Sequence, residues 1–196
     1  MIKFKVFDDI ISPTYQDVFE ELMSSQDLPW KWQNSMDYPI TDSNNPYSGG
    51  YPQFNCDIFN NGQIFETGLY HLTIGLLSKI VDDIIPGYYP TRLRAILHTP
   101  RAEDIKHYPP HTDATNTGGV SAIYYPTDAT GDTYLFNEYD INDKVEIDRF
   151  NHTWEPVDSV SPKKGRLITF PSNHYHAGSP TTSDRRMLIN INFFPK

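Results

Sequence analysis

The feature that most constrains the fold is a change of hydrophobic period near residue 90. Upstream, Phe65, Leu69, Leu72, Leu76, Ile80 and Ile84 recur at steps of four and three, and Pro86-Gly87 stops the run. That spacing predicts one long one-sided helix from about Gln63 to Ile85. Downstream of Thr91 the period drops to two and the segments become short. Arg92 to His98 and Gly119 to Tyr125 alternate, Thr133 to Phe136 is apolar after Gly131-Asp132, and Arg166 to Phe170 and Met187 to Phe194 follow. Val145 to Trp154 reads as one or two further strands. Strands at this spacing without intervening helices predict an antiparallel sandwich or barrel. The long helix is expected to cover one face of it.

The first sixty residues add smaller elements. Residues 2–7 alternate as a short strand, Ser12-Pro13 is a helix start with Ser at the N-cap, and Val18, Phe19 and Leu22 carry that helix to about Ser24. Pro29 to Gln33 and residues 51–59 read as extended. Residues 39–50, rich in Asn, Ser, Pro and Gly, read as a loop. A length of 196 residues fits a single domain spanning 1–196: residues 1–90 supply helical support and substrate-side loops, and residues 91–196 form the core.

Composition narrows the function. A net charge of −9 without a local basic patch disfavours nucleic-acid partners. The single cysteine, Cys56, rules out an internal disulfide and a cysteine zinc cluster, and fits a cytoplasmic location. The N-terminus lacks a signal-peptide core and no run is long and apolar enough for a membrane span, so no membrane role is expected.

The chemistry concentrates in Tyr108-Pro-Pro-His111-Thr-Asp113 and in His174-Tyr-His176-Ala-Gly-Ser-Pro180, followed by Arg185-Arg186. On an extended segment His111 and Asp113 point the same way. With one more imidazole they would form a two-histidine, one-carboxylate set that leaves three coordination positions open, as non-haem Fe(II) oxygen activation requires. Alternation does not choose between His174 and His176, because they are two apart. Arg185 and Arg186 are equally open as candidates, but neighbours on one strand cannot both point inward.

The ordered set Tyr108, His111-x-Asp113, Ile123-Tyr124-Tyr125, His176-x-x-x-Pro180 and Arg186 resembles the Fe(II)/2-oxoglutarate-dependent dioxygenases, within them the prolyl-4-hydroxylase-like branch of small bacterial and phage members. The resemblance covers roughly residues 91–194. It implies a double-stranded β-helix, or jelly roll, mainly β with N-terminal helices. It implies Fe(II) held by His111, Asp113 and His176, the last chosen over His174 because Pro180 follows it by four. It implies 2-oxoglutarate as cosubstrate, its far carboxylate bound by Arg186 and Tyr125, with Ile123 lining the pocket and Asn190 contacting the cosubstrate or lining the barrel. Tyr108 is expected near the substrate. Gly131-Asp-Thr-Tyr-Leu-Phe136 resembles the family's Gly-Gly-x-Leu-x-Phe segment, with Asp132 in place of the second glycine. O2 is consumed, succinate and CO2 are released, ascorbate serves as reductant, and the substrate is a peptide, protein or small molecule, with a prolyl residue the analogy within the branch. The remaining histidines, His71, His98, His107 and His152, have no matching role. The competing readings are a metal- or sugar-binding jelly roll without catalysis and an oxygenase acting on a nucleobase.

Overall fold

The structure, a computed structural model, describes residues 2–34, 51–101, 105–115, 117–140 and 152–196. The expected loop 39–50 and the expected strand residues 145–151 lie outside them.

Strand β1 (Lys5–Phe7) leads into helix α1 (Pro13–Ser24), whose N-cap Ser12 accepts from the Tyr15 amide. Then come β2 (Lys31–Gln33), β3 (Gln53–Asn60) and the two-residue β4 (Gln63–Ile64), which doubles back on β3. Helix α2 runs from Thr67 to Asp83, starting later than the periodicity predicts. The turn chemistry decides the difference. Asn61 and Gly62 both take positive φ (45° and 87°), the pairing that closes a tight hairpin, so Gln63 and Ile64 become strand. Glu66 then caps α2 by accepting from the Gly68 and Leu69 amides, and Phe65, expected on the buried face, is left 52% exposed. Leu69, Thr73, Leu76, Leu77 and Ile80 form the buried side.

The remaining strands are β5 (Tyr88–His98), β6 (Val120–Tyr125), β7 (Thr133–Tyr139), β8 (Pro156–Val160), β9 (Arg166–Pro171), β10 (His174–Gly178) and β11 (Arg186–Pro195). The sequence reading named neither β8 nor β10. A major antiparallel sheet has the order β1-β9-β6-β11-β5-β3-β2, with β4 beside β3, and a minor sheet has the order β10-β7-β8. This is the mainly β architecture with two N-terminal helices that the sequence led us to expect.

Strand parity distributes the side chains. On β11, Met187, Ile189, Ile191 and Phe193 join Phe19, Met23, Leu69, Leu76 and Ile80 in a core beneath the helices. Each such buried side chain contributes about 1.5–3 kcal/mol. The alternate residues Arg186, Leu188, Asn190 and Asn192 face the minor sheet. There Leu188, Ile123, Tyr125, Ile168 and Phe170 pack with Leu135 and Val160 in a second core. One end of the space between the sheets is filled by this core. The other opens as a cavity.

Candidate active site

The cavity has a volume of about 260 Å³ and is lined from the major sheet by Arg92, Arg94, Ile96, His98, Ile123, Arg186, Leu188 and Asn190, and from the opposite side by His111, Asp113, Thr133 and His176 among others. Two segments sixty residues apart meet in it because residues 108–114 lie antiparallel along β10 and the turn before it. The Tyr108 amide donates to Gly178 O (2.8 Å), His111 and His176 exchange both backbone hydrogen bonds (3.0 and 2.9 Å), and the Asp113 amide donates to Ser172 O (3.0 Å).

Potential ligand atoms of His111, Asp113 and His176 all lie within 4.8 Å of one another. Nε2 of His176 is 3.7 Å from Asp113 Oδ2, and both side chains are almost fully buried. Each imidazole has a backbone partner on its other nitrogen: His176 Nδ1 with His174 O (3.2 Å) and His111 Nδ1 with Pro109 O (3.3 Å). A carbonyl only accepts, so the proton sits on Nδ1 and the lone pair of Nε2 is left for a metal. Burial, aided by repulsion from His111, pushes the His176 pKa down to about 4, which keeps the ring neutral at pH 7.

His174 does not enter the cavity. The β10–β7 register shifts between His174 and His176, and this irregularity breaks the two-residue parity that would have aligned them. The His174 ring instead packs on Tyr139 (5.5 Å).

Asp113 is held by three groups, of which the sequence singles out only Asn190. Oδ1 accepts from Arg92 Nη2 (3.1 Å); Oδ2 accepts from Ser121 Oγ (2.5 Å) and Asn190 Nδ2 (3.1 Å). Asn190 therefore touches the carboxylate of the candidate ligand set. Burial alone would raise the Asp113 pKa, but attraction to His176, Arg92 and His111 and the Ser121 hydrogen bond outweigh it, holding the carboxyl well below the usual range. The signal that could have found Arg92 and Ser121 is alternation: Arg92 has the opposite parity to Leu93, Ala95 and Leu97, and Ser121 lies two before Ile123.

At the other end of the cavity Arg186 is 1% exposed. Its Nε donates to Gly131 O (2.7 Å) and its Nη2 to Thr133 Oγ1 (2.7 Å), and no carboxylate among the described residues pairs with it. Gly131 fits this contact for two reasons: its φ is +91°, and a Cβ there would stand 2.8 Å from Ser179 O and 3.2 Å from Arg186 Cδ. Arg185 points away, its Nη2 donating to Ser24 Oγ (3.1 Å).

Tyr125 is fully buried behind Arg186, with its ring 5.7 Å from the guanidinium carbon. Its hydroxyl pairs with Thr133 Oγ1 (2.6 Å), and it is Thr133 that lines the cavity, not Tyr125. Tyr125 is thus linked to the cavity wall through Thr133. Ile123 lines the cavity, and Tyr108 does too, packed between His98 and Tyr51 (5.3 Å each). His98, which the motifs leave without a role, is also a cavity wall and is paired in register with Arg186.

The donor set suits the metal and cosubstrate of an oxygenase. Two imidazoles and one anchored carboxylate match Fe(II), and a buried guanidinium without a carboxylate is a site for an anion, since burying an isolated charge is costly.

A family profile described as the 2OG-Fe(II) oxygenase superfamily matches residues 97–194. No curated protein sequence matches the chain. Among solved structures, the fold is similar to an oxidoreductase of the 2OG-Fe(II) oxygenase family from Burkholderia pseudomallei (TM-score 0.67, 10% identity, 97% of this chain and 85% of that one). It is also similar to a prolyl-4-hydroxylase from Pseudomonas putida (TM-score 0.58, 17% identity, 100% and 94%). A third is HygX from Streptomyces hygroscopicus, solved with nickel, 2-oxoglutarate and hygromycin B bound (TM-score 0.60, 11% identity, 100% and 84%).

Proposed function

From the premise that this chain belongs to the 2OG-Fe(II) oxygenase superfamily, and so is a dioxygenase that uses Fe(II), 2-oxoglutarate and O2, we propose that it hydroxylates an amino-acid group, a prolyl residue being the first to test, with His111, Asp113 and His176 as metal ligands and Arg186 as the anchor of 2-oxoglutarate. The observation that carries this reading is the pairing of two unsatisfied demands in one cavity: a buried cation without a carboxylate among the described residues at one end, and three converging ligand atoms at the other.

The residues divide the work as follows. His111 and His176 offer Nε2 because backbone carbonyls hold Nδ1–H. Asp113 stays ionised, and Arg92, Ser121 and Asn190 occupy three of the roughly four acceptor sites of its carboxylate, leaving about one for the metal. A single coordinating oxygen from Asp113 would leave three positions of a bound Fe(II) open for cosubstrate and O2. Arg186 presents a planar fork that suits a carboxylate, and it is already oriented by Gly131 and Thr133. Ile96, Ile123 and Leu188 line the intervening wall and keep it dry. When bound, the Fe(II)–2-oxoglutarate pair supplies the oxidising power, with the cosubstrate leaving as succinate and CO2 and one oxygen atom going to a substrate C–H bond.

Ascorbate as reductant and a reducing, cytoplasmic setting are part of the proposal. In keeping with that setting, Cys56 is buried and burial pushes its thiol up to about 11, so it is unreactive. The prolyl choice is supported by likeness of fold to proteins described as prolyl hydroxylases, from Pseudomonas putida and from Trichoplax adhaerens. The test is succinate formation with Fe(II), 2-oxoglutarate and ascorbate, with and without prolyl peptides. The reading expects turnover that His111→Ala abolishes. Tight metal binding without succinate under any condition would defeat it.

A further inference from the structure

One charged group on the cavity wall has no part in holding the metal or the cosubstrate. Arg94 faces the cavity from β5, in register with Asn190 on one side and Asp57 on the other. Asn190 in turn touches Asp113, so the Arg94 backbone stands one strand, about 5 Å, from a residue bonded to the proposed metal ligand. The Arg94 Nε donates to Asp57 Oδ1 (2.8 Å), which tethers the guanidinium at its base. Its two Nη groups have no acceptor among the described residues, and the side chain is 30% exposed. The outer edge of the fork is therefore open at a place a substrate must pass.

The charges of the cavity point the same way. Among the described lining residues and their partners, three guanidinium groups, Arg92, Arg94 and Arg186, face only two carboxylates, Asp113 and Asp57. A divalent metal and a dianionic cosubstrate cancel each other. One positive charge is left for the substrate to meet.

Resting on the hydroxylase reading above, we propose that Arg94 is a substrate-recognition residue that receives a carboxylate, and that the substrate is an amino acid whose own carboxylate is free, either as the free molecule or as the C-terminal residue of a peptide. A carboxylate fits the open edge of a guanidinium through two parallel hydrogen bonds. Size sets the rest of the class. A cavity of about 260 Å³ lies below the usual range for drug-sized ligands and must also take the cosubstrate. What enters beside it is one residue, and with Arg94 next to the metal site the carboxylate and the reacting carbon belong to that same residue.

The test is calorimetric binding to protein loaded with Mn(II) and saturating 2-oxoglutarate, which supports no turnover and so reports on recognition alone. One arm titrates the free L-amino acids and their primary amides; the other titrates N-acetyl dipeptides ending in the acid or the amide. At least one acid is expected to bind tenfold or more tightly than its own amide. Arg94→Gln should bring that ratio close to one, and Arg94→Lys should retain part of it. The proposal is overturned if no acid binds, if acid and amide bind equally, or if the preference survives Arg94→Gln. The wild-type comparison alone can overturn it, whatever the folding yield of the variants. Absence of succinate in the Fe(II) assay would strike the hydroxylase reading instead, leaving this binding result to stand or fall by itself.

Discussion

Replacing Arg186 by methionine separates the energetics of the fold from those of cosubstrate binding. In the free protein, the guanidinium is 1% exposed, donates to Gly131 O and Thr133 Oγ1, and has no carboxylate partner among the described residues. Losing hydrogen bonds from a charged donor costs about 1.5–3 kcal/mol each. Relieving an uncompensated buried charge returns several kcal/mol. The two nearly offset, so stability without ligand should change by about 1 kcal/mol in either direction, a few degrees in melting temperature for a chain of this length. Binding behaves differently. Truncating one partner of a buried hydrogen-bonded charge pair costs about 2–5 kcal/mol, or roughly thirtyfold to several-thousandfold in the Kd of 2-oxoglutarate. The assay is thermal melting with Mn(II), with and without 2-oxoglutarate at about 100 times the wild-type Kd. Mass action stabilises the wild type by about 2.7 kcal/mol, a rise of about 5–10 °C. With affinity lowered a hundredfold, the same concentration stabilises the Arg186→Met variant by about 0.4 kcal/mol, a rise of about 1 °C. Arg185→Ala should keep the full wild-type rise, because that side chain is 42% exposed and bonded to Ser24. A ligand-induced rise in Arg186→Met equal to that of the wild type would refute the assignment.

Three further outcomes follow from the same geometry. Asp113→Ala should abolish Mn(II) binding measured by electron paramagnetic resonance, and should cost about 1–3 kcal/mol in urea unfolding, since Arg92, Ser121 and Asn190 lose their shared acceptor. Gly131→Ala should destabilise by about 2 kcal/mol or more and weaken 2-oxoglutarate binding, because a Cβ at φ +91° meets Ser179 O at 2.8 Å and Arg186 at 3.2 Å. Burial, with repulsion from Arg186, depresses the His98 pKa to about 3 from a usual 6.5. The unfolded chain then binds more protons below pH 6.5, so the contribution of His98 is fully present above pH 6.5 and is lost as pH falls toward 3. By pH 5 the loss is about 2 kcal/mol, and His98→Gln should flatten the urea-measured stability profile between pH 7 and 5 by that amount; parallel profiles would count against it.

Particular residues show where sequence reading succeeds. The period-two runs around Leu93, Ala95 and Leu97, and around Met187, Ile189 and Ile191, fix which side chains lie under the helices, because a strand has only two faces. Ser12-Pro13 starts α1, since capping is a local matter between a hydroxyl and the next amides. The reading missed where local signals compete or information is absent. Asn61-Gly62 converted the expected first turn of α2 into a hairpin. Strand β8 carries the weak pattern Pro-Val-Asp-Ser-Val and is ordered by its partner β7.

The chain of amino acids by itself determined the menu: two helices, a set of short strands, and a short roster of imidazoles, carboxylates and guanidinium groups able to hold a metal and an anion. Local torsions and alternation suffice for that much. Tertiary structure decided the selection. A register shift in β10 turned His176 inward and His174 aside, the parity of β11 buried Arg186 while Arg185 found Ser24, and Arg92, Ser121 and Asn190 reached Asp113 from three different strands. Those choices depend on which strands become neighbours, a property of the folded sheet that no stretch of sequence carries alone.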